Sequence, residues 1–162
     1  MSCGEIPSLY SVRAATVADA AVIARHRAAM FRDMGVLGDS DVPALEAASR
    51  DCLPRALAAR DYLGWVVEHN GEVVAGGGLV LRPLLPRPGA PQGGQEAYVL
   101  NVYTEPEHRR RGLARQLMQV ILAWCEARRI ARITLHASDD GRPLYDSMGF
   151  VQTNEMRLES KG

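Results

Sequence analysis

The sequence predicts an α/β domain built on a mixed, mainly antiparallel central sheet of about six to seven strands with helices on both faces. Three observations carry this. Strand-like and helix-like segments interleave in the order β, α, α, β, β, β, α, β, α, β, β. Asn70-Gly71 joins two strand-like runs as a tight hairpin, because both residues tolerate positive φ. Glu96–Tyr103 is apolar on both faces, the mark of a strand covered from both sides, and a long amphipathic helix follows it.

A chain of 162 residues is long enough for one domain, spanning 1–162, with its own core. With 19 basic and 19 acidic side chains the formal charge is zero, which argues against a polyelectrolyte role on nucleic acid. Cys3, Cys52 and Cys125 fit no metal knuckle or CxxC pattern, so reduced thiols are expected, with Cys52 and Cys125 in the core. No cluster suggests a bound metal. No run reaches the length of a membrane span and the first residues lack a signal-peptide pattern, so a cytoplasmic protein with no membrane partner is expected.

The elements follow in order. Tyr10–Ala15 reads as a first strand. Thr16, three positions before Asp19, is an N-cap for a helix to about Met34 that places Val22, Ile23, His26, Met30 and Phe31 near one face. Gly35 ends it. A second helix covers Val42–Arg60, with Pro54 expected to break or kink it. Tyr62–His69 and Glu72–Leu81 form the hairpin. Gly76, Gly77 and Gly78 within its second strand mark a bulge or a close approach to the backbone, or else a twisted bend with no ligand. Residues 82–95 hold four of the nine prolines and three glycines and read as a loop without a ladder.

After the central strand, Leu113, Leu117, Ile121 and Trp124 make the apolar stripe of the long helix. Ile130–Ala137 is a further strand. Ser138 to Pro143 opens a short helix, with Asp139 and Asp140 at its positive end and Pro143 in its first turn. Gly149 stops it, and Phe150–Thr153 and Glu155–Leu158 are candidate final strands.

The chemistry concentrates at Arg109–Ala114, RRRGLA. The first N–H groups of a helix lack intrahelical acceptors, and the helix dipole adds positive potential there. Gly112 and Ala114 leave the backbone approachable, and flanking arginines add charge. This favours a diphosphate held by main-chain N–H groups. Neither a Walker A loop nor a GxGxxG fingerprint is present.

The run Arg109-Arg110-Arg111-Gly112-Leu113-Ala114 resembles the Q/R-x-x-G-x-G/A signature of the GNAT superfamily of acetyl-CoA-dependent N-acetyltransferases. Leu100 to His108 is similar to that family's central strand and turn, and Leu144-Tyr145-Asp146-Ser147-Met148-Gly149-Phe150 to its LYxxxGF motif. The resemblance covers residues 96–153 closely. It implies acetyl transfer from acetyl-CoA to a primary amine, by direct attack in a ternary complex. A small-molecule acceptor is the leading reading. A protein N-terminus or lysine, or a non-catalytic acyl-CoA sensor on the same fold, are the alternatives, and a longer acyl donor stays open.

The resemblance also implies roles for particular residues. Asn101, Val102, Tyr103 and Thr104 would flank the pantetheine arm, with the Val102 and Thr104 backbone pairing to it. Amides from Arg110 to Arg115, with Arg109, Gly112, Leu113 and Ala114 around them, would hold the pyrophosphate. A splay between the central strand and the next would admit the thioester. Tyr145 would sit by the sulfur and protonate the leaving thiolate. Many members carry Asn where this chain has Ser138. A homodimer is an option by the same resemblance.

Direct transfer also needs a route for the amine proton. His136, Glu96, Asp33 and Glu105 are the candidates, with His136 and Glu96 preferred; histidine exchanges protons near neutrality. Acceptor selection falls to the first helices, notably Phe31, Asp33 and Met34, and to the proline-rich loop.

Overall fold

The computed structural model describes residues 9–161; Cys3 lies outside them. The elements are β1 (Tyr10–Ala14), α1 (Ala20–Asp33), α2 (Val42–Ala59), β2 (Leu63–His69), β3 (Glu72–Leu84), β4 (Gly94–Thr104), α3 (Leu113–Ala127), β5 (Arg132–Leu135) and α4 (Arg142–Ser147). The strands form one sheet in sequential order. β1 to β4 pair antiparallel, and β5 runs parallel to β4 through the α3 crossover.

Alternation along the strands divides the core between the two faces of the sheet. Leu79 and Val99 face α3, whose Leu117, Met118, Ile121 and Cys125 are fully buried against them. Val80 and Leu100 face the other way, with Ile23 and Ala24 of α1, Leu53 of α2 and Tyr62. Helices therefore cover both faces, as the pattern required.

Local signals set most boundaries. The Thr16 N–H donates to the Asp19 carboxylate at 2.7 Å, a capping contact that opens a single 3-10 turn before α1. Gly35, at φ 74°, closes α1, and Asn70-Gly71, at φ 52° and 80°, makes the hairpin turn.

Several expectations are corrected. Five strands form among the described residues rather than six or seven. Phe150–Thr153 and Glu155–Leu158 make no ladder, and Val151, Met156 and Leu158 stay exposed. Strand propensity there meets no paired edge, and a strand exists only by pairing. α2 is not broken at Pro54, since Leu53 beside it is buried and tertiary packing outweighs the lost N–H. Cys52 faces solvent on that helix, while Cys125 is buried as expected. The loop at 82–95 is shorter than read, because β3 and β4 extend their ladder through Arg82–Leu84 and Gly94–Glu96.

The three glycines of β3 serve packing. A Cβ on Gly78 would lie 2.4 Å from the Tyr62 hydroxyl and from the Leu63 carbonyl. A Cβ on Gly77 would lie 3.1 Å from both Leu117 and Val102. A bulge and a close approach are both present at these glycines, the approach being made by the protein's own chain.

Candidate active site

The site begins with an irregularity in β4. Tyr103 pairs with Gly76 but Leu100 pairs with Gly78, so Asn101 and Val102 together face Gly77. This is a β-bulge, and Asn101 carries its strain at φ 61°. The missing Cβ of Gly77 is what lets Val102 come so close.

The bulge also marks where the sheet opens. β5 pairs with β4 only from Glu96 to Val99, ending at Leu135. Beyond that point one edge of β4 has no strand partner, and a cleft of about 1020 Å³ lies between the separated chains. The splay expected from the resemblance is present.

Polar bonds from α1 hold the β4 side of the cleft. Arg27 Nη1 donates to Asn101 Oδ1 at 2.5 Å. Asn101 also bonds the Tyr62 phenol, whose pKa burial pushes up to about 12. Arg109 donates to the Thr104 carbonyl at 2.9 Å and to Asp33 at 2.8 Å, and lies over the Tyr103 ring. Burial raises the Tyr103 phenol, and the Asp33 and Glu105 carboxylates raise it further. Glu105 accepts from Arg25 at 2.8 Å and meets the buried His26 at 3.0 Å. Burial pushes the Glu105 carboxyl up, but Arg25 and His26 outweigh it and hold it below the usual range.

At the mouth of the cleft α3 begins. Arg110, at φ 61°, and Gly112, at φ 77°, turn the chain into the helix. The first helical bond runs from Gln116 N–H to the Gly112 carbonyl. From Arg110 through Arg115 the backbone N–H groups have no acceptor among the described residues. A Cβ on Gly112 would meet nothing within 4 Å, so the space above the turn is open. Free donors, a helix N-terminus and an open cradle fit a diphosphate.

On the β5 side, Tyr145 is buried to 8 % exposure, packs edge-on to Phe150 and lines the cleft. Its hydroxyl has no protein partner among the described residues, and burial raises its pKa. His136 is exposed, with Nδ1 at 2.5 Å from the Tyr98 hydroxyl and Nε2 accepting from Arg157. Ser138 Oγ accepts the Gly141 N–H at 3.1 Å, so it shapes its own turn.

Most residues singled out from the sequence therefore meet. Asn101–Thr104, Arg109, Arg110, Gly112–Arg115, Tyr145, His136, Phe31, Asp33 and Met34 all line the cleft. Arg111 and Glu96 do not. Glu96 lies back along β4 where the strand is paired on both sides. Asp33 and Glu105 are held in ion pairs, and Arg109 is committed to Asp33 and Thr104 rather than free for an anion. Tyr98 was overlooked; it lies among the apolar residues Ala97, Val99 and Leu100, where a phenol hydroxyl still needs a partner, and that was the available signal. No group of three or more metal-ligating side chains occurs among the described residues, and none of the helices described is long and apolar enough to cross a membrane.

A family model described as the acetyltransferase (GNAT) family matches residues 31–150. A GCN5-related N-acetyltransferase from Ralstonia eutropha JMP134 is 37% identical, with a TM-score of 0.86 over 94% of this chain and 99% of that one. A predicted acetyltransferase from Clostridium acetobutylicum, solved with acetyl-CoA, is 25% identical, with a TM-score of 0.81 over 93% and 96%. An aminoglycoside acetyltransferase from an uncultured soil metagenomic sample shares the fold, at 21% identity and a TM-score of 0.66 over 94% and 98%. No curated protein matches.

Proposed function

The chain belongs to the GNAT acetyltransferase family and is an N-acetyltransferase, and from that premise we propose that it moves the acetyl group of acetyl-CoA onto the primary amine of a small molecule by direct attack in a ternary complex. The observation that carries the reading is the parting of β4 from β5 after Val99, with the free N–H groups of α3 at one end of the opening and the Tyr145 hydroxyl within it.

Each residue has a task in that scheme. Backbone N–H groups of Arg110–Arg115 hold the pyrophosphate of the donor, and Arg110 and Arg115 add charge beside it. The unpaired edge of β4 at Val102 and Thr104 pairs with the pantetheine arm as an added strand would. Asn101 and Tyr103 shape the wall beside the thioester. The amine nitrogen bonds to the acetyl carbon as the carbon–sulfur bond breaks. Tyr145 gives its phenolic proton to the departing sulfur, and its raised pKa keeps that proton in place at neutral pH. The amine loses its own proton toward His136 Nε2 as that nitrogen exchanges its Arg157 contact for the amine, which leaves His136 protonated. Glu96, remote along β4, takes no part.

Binding and reaction take place in one cleft, and Cys125 lies outside it, buried on the face of α3 that packs against the sheet. A covalent acetyl-cysteine route therefore has no support.

The test is release of free CoA thiol from acetyl-CoA with a panel of amines. Acceptor-dependent thiol release is expected. CoA binding without turnover on any amine would leave only a binding protein and sink the proposal.

A further inference from the structure

The acceptor end of the cleft carries an unusual charge balance. α1 contributes Arg27, Met30, Phe31, Asp33 and Met34 to the lining. Of the two charged groups, Asp33 is neutralised by Arg109 at 2.8 Å and approached by Arg32 at 3.5 Å. Arg27 is half-buried and no carboxylate pairs with it among the described residues. It gives one N–H to the neutral Asn101 amide and sets its guanidinium 4.8 Å from the Phe31 ring. Its remaining donors have no protein partner among the described residues. Beside Arg27, β4 presents Tyr98 and Asn101; across the cleft, His136 follows β5, with Asp139 and Asp140 beyond it.

We propose that the acceptor is an amine carrying a carboxylate close to its nitrogen, an α-amino acid with an apolar side chain, and that Arg27 reads the carboxylate. This rests on the acetyl-transfer reading above. A guanidinium with open donors, partly shielded from water, binds a carboxylate by charge-assisted hydrogen bonds. Arg27 is joined directly to Asn101 at the bulge, so a carboxylate on it sets a nearby amine beside the thioester position. Met30, Phe31 and Met34 supply apolar surface for the side chain. A polyamine, with several positive charges, meets Arg27 and finds the α1 carboxylate already paired.

Matched acceptors test this in the wild-type enzyme: L-phenylalanine against 2-phenylethylamine, L-leucine against 3-methylbutylamine, and L-phenylalaninamide beside them. A kcat/KM at least tenfold higher for the carboxylates is expected. Arg27→Gln should bring that ratio toward one, and Arg27→Lys should retain part of it, with the KM for acetyl-CoA confirming that each variant is folded. Equal or better turnover of the carboxyl-free amines would overturn the proposal while leaving acetyl transfer intact. So would a full carboxylate preference surviving in Arg27→Gln. Loss of turnover on every amine by an enzyme that binds CoA would instead remove the underlying reading.

Discussion

The two walls of the cleft are built on different principles. The β4 wall is cross-tied by polar bonds from a separate helix: Arg27 to Asn101, Asp33 to Arg109, and Arg25 and His26 to Glu105. The β5 wall is a short strand paired over Arg132–Leu135, followed by a turn and a short helix. The residues after Phe150 add no ladder. A bulged strand with one open edge has backbone groups and side chains to satisfy, and α1 supplies the bonds. The opposite wall leaves space and offers few fixed partners. The first kind of wall is fixed by its bonds, and the second leaves the cleft open.

The contrast can be broken most severely behind the β4 wall. Gly78→Ala sets a methyl against backbone and the Tyr62 ring, and should cost about 3 kcal/mol by overpacking. Urea denaturation measures it, and a cost below about 0.5 kcal/mol would show that the Tyr62 contact is not tight. On the β5 side, Tyr145→Phe should lower kcat about a hundredfold with little change in stability or in the KM for acetyl-CoA. An unchanged kcat would remove Tyr145 as the acid.

A smaller effect is expected from pH. Burial lowers the pKa of His26 from 6.5, against the pull of Glu105. Below that value the unfolded chain takes a proton that the folded chain resists, so stability is complete above about pH 6.5 and is lost as pH falls through it toward the folded value. His26→Gln should flatten the urea midpoint between pH 8 and 5.5; parallel profiles for variant and wild type would refute this. The smallest change should follow Met156→Ala or Leu158→Ala. Both side chains are over nine-tenths exposed, so each should shift stability by less than about 0.5 kcal/mol. A loss above 1 kcal/mol, read by the same denaturation, would mean that the C-terminal segment packs against something in solution.

Legibility from sequence followed the range of the interactions. The capping pair Thr16–Asp19, the Asn70-Gly71 turn and the α3 stripe were readable because each is satisfied within a few residues. So was the open turn at the start of α3, since a glycine there needs no distant partner to expose N–H groups. The final strands were over-read because Phe150–Leu158 has strand composition but no edge to pair with. Cys52 was misplaced because a helical pattern does not say which flank faces the core. The bulge was legible in the glycines of β3, but its place at Asn101 was not, since that depends on how β3 pairs with β4.

Local chemistry in the sequence was thus enough to determine the cleft's chemical class: a helix N-terminus behind Gly112, a phenol at Tyr145, and a doubly buried strand between them. Tertiary structure decided which charges remain available there. Arg109 and Asp33 lie 76 residues apart and cancel; Arg27 and Asn101 lie 74 apart and leave a cation lining the cleft. A charge keeps its influence only when the fold brings it no counter-ion, and that pairing is settled in space, by elements that meet long after the chain has passed between them.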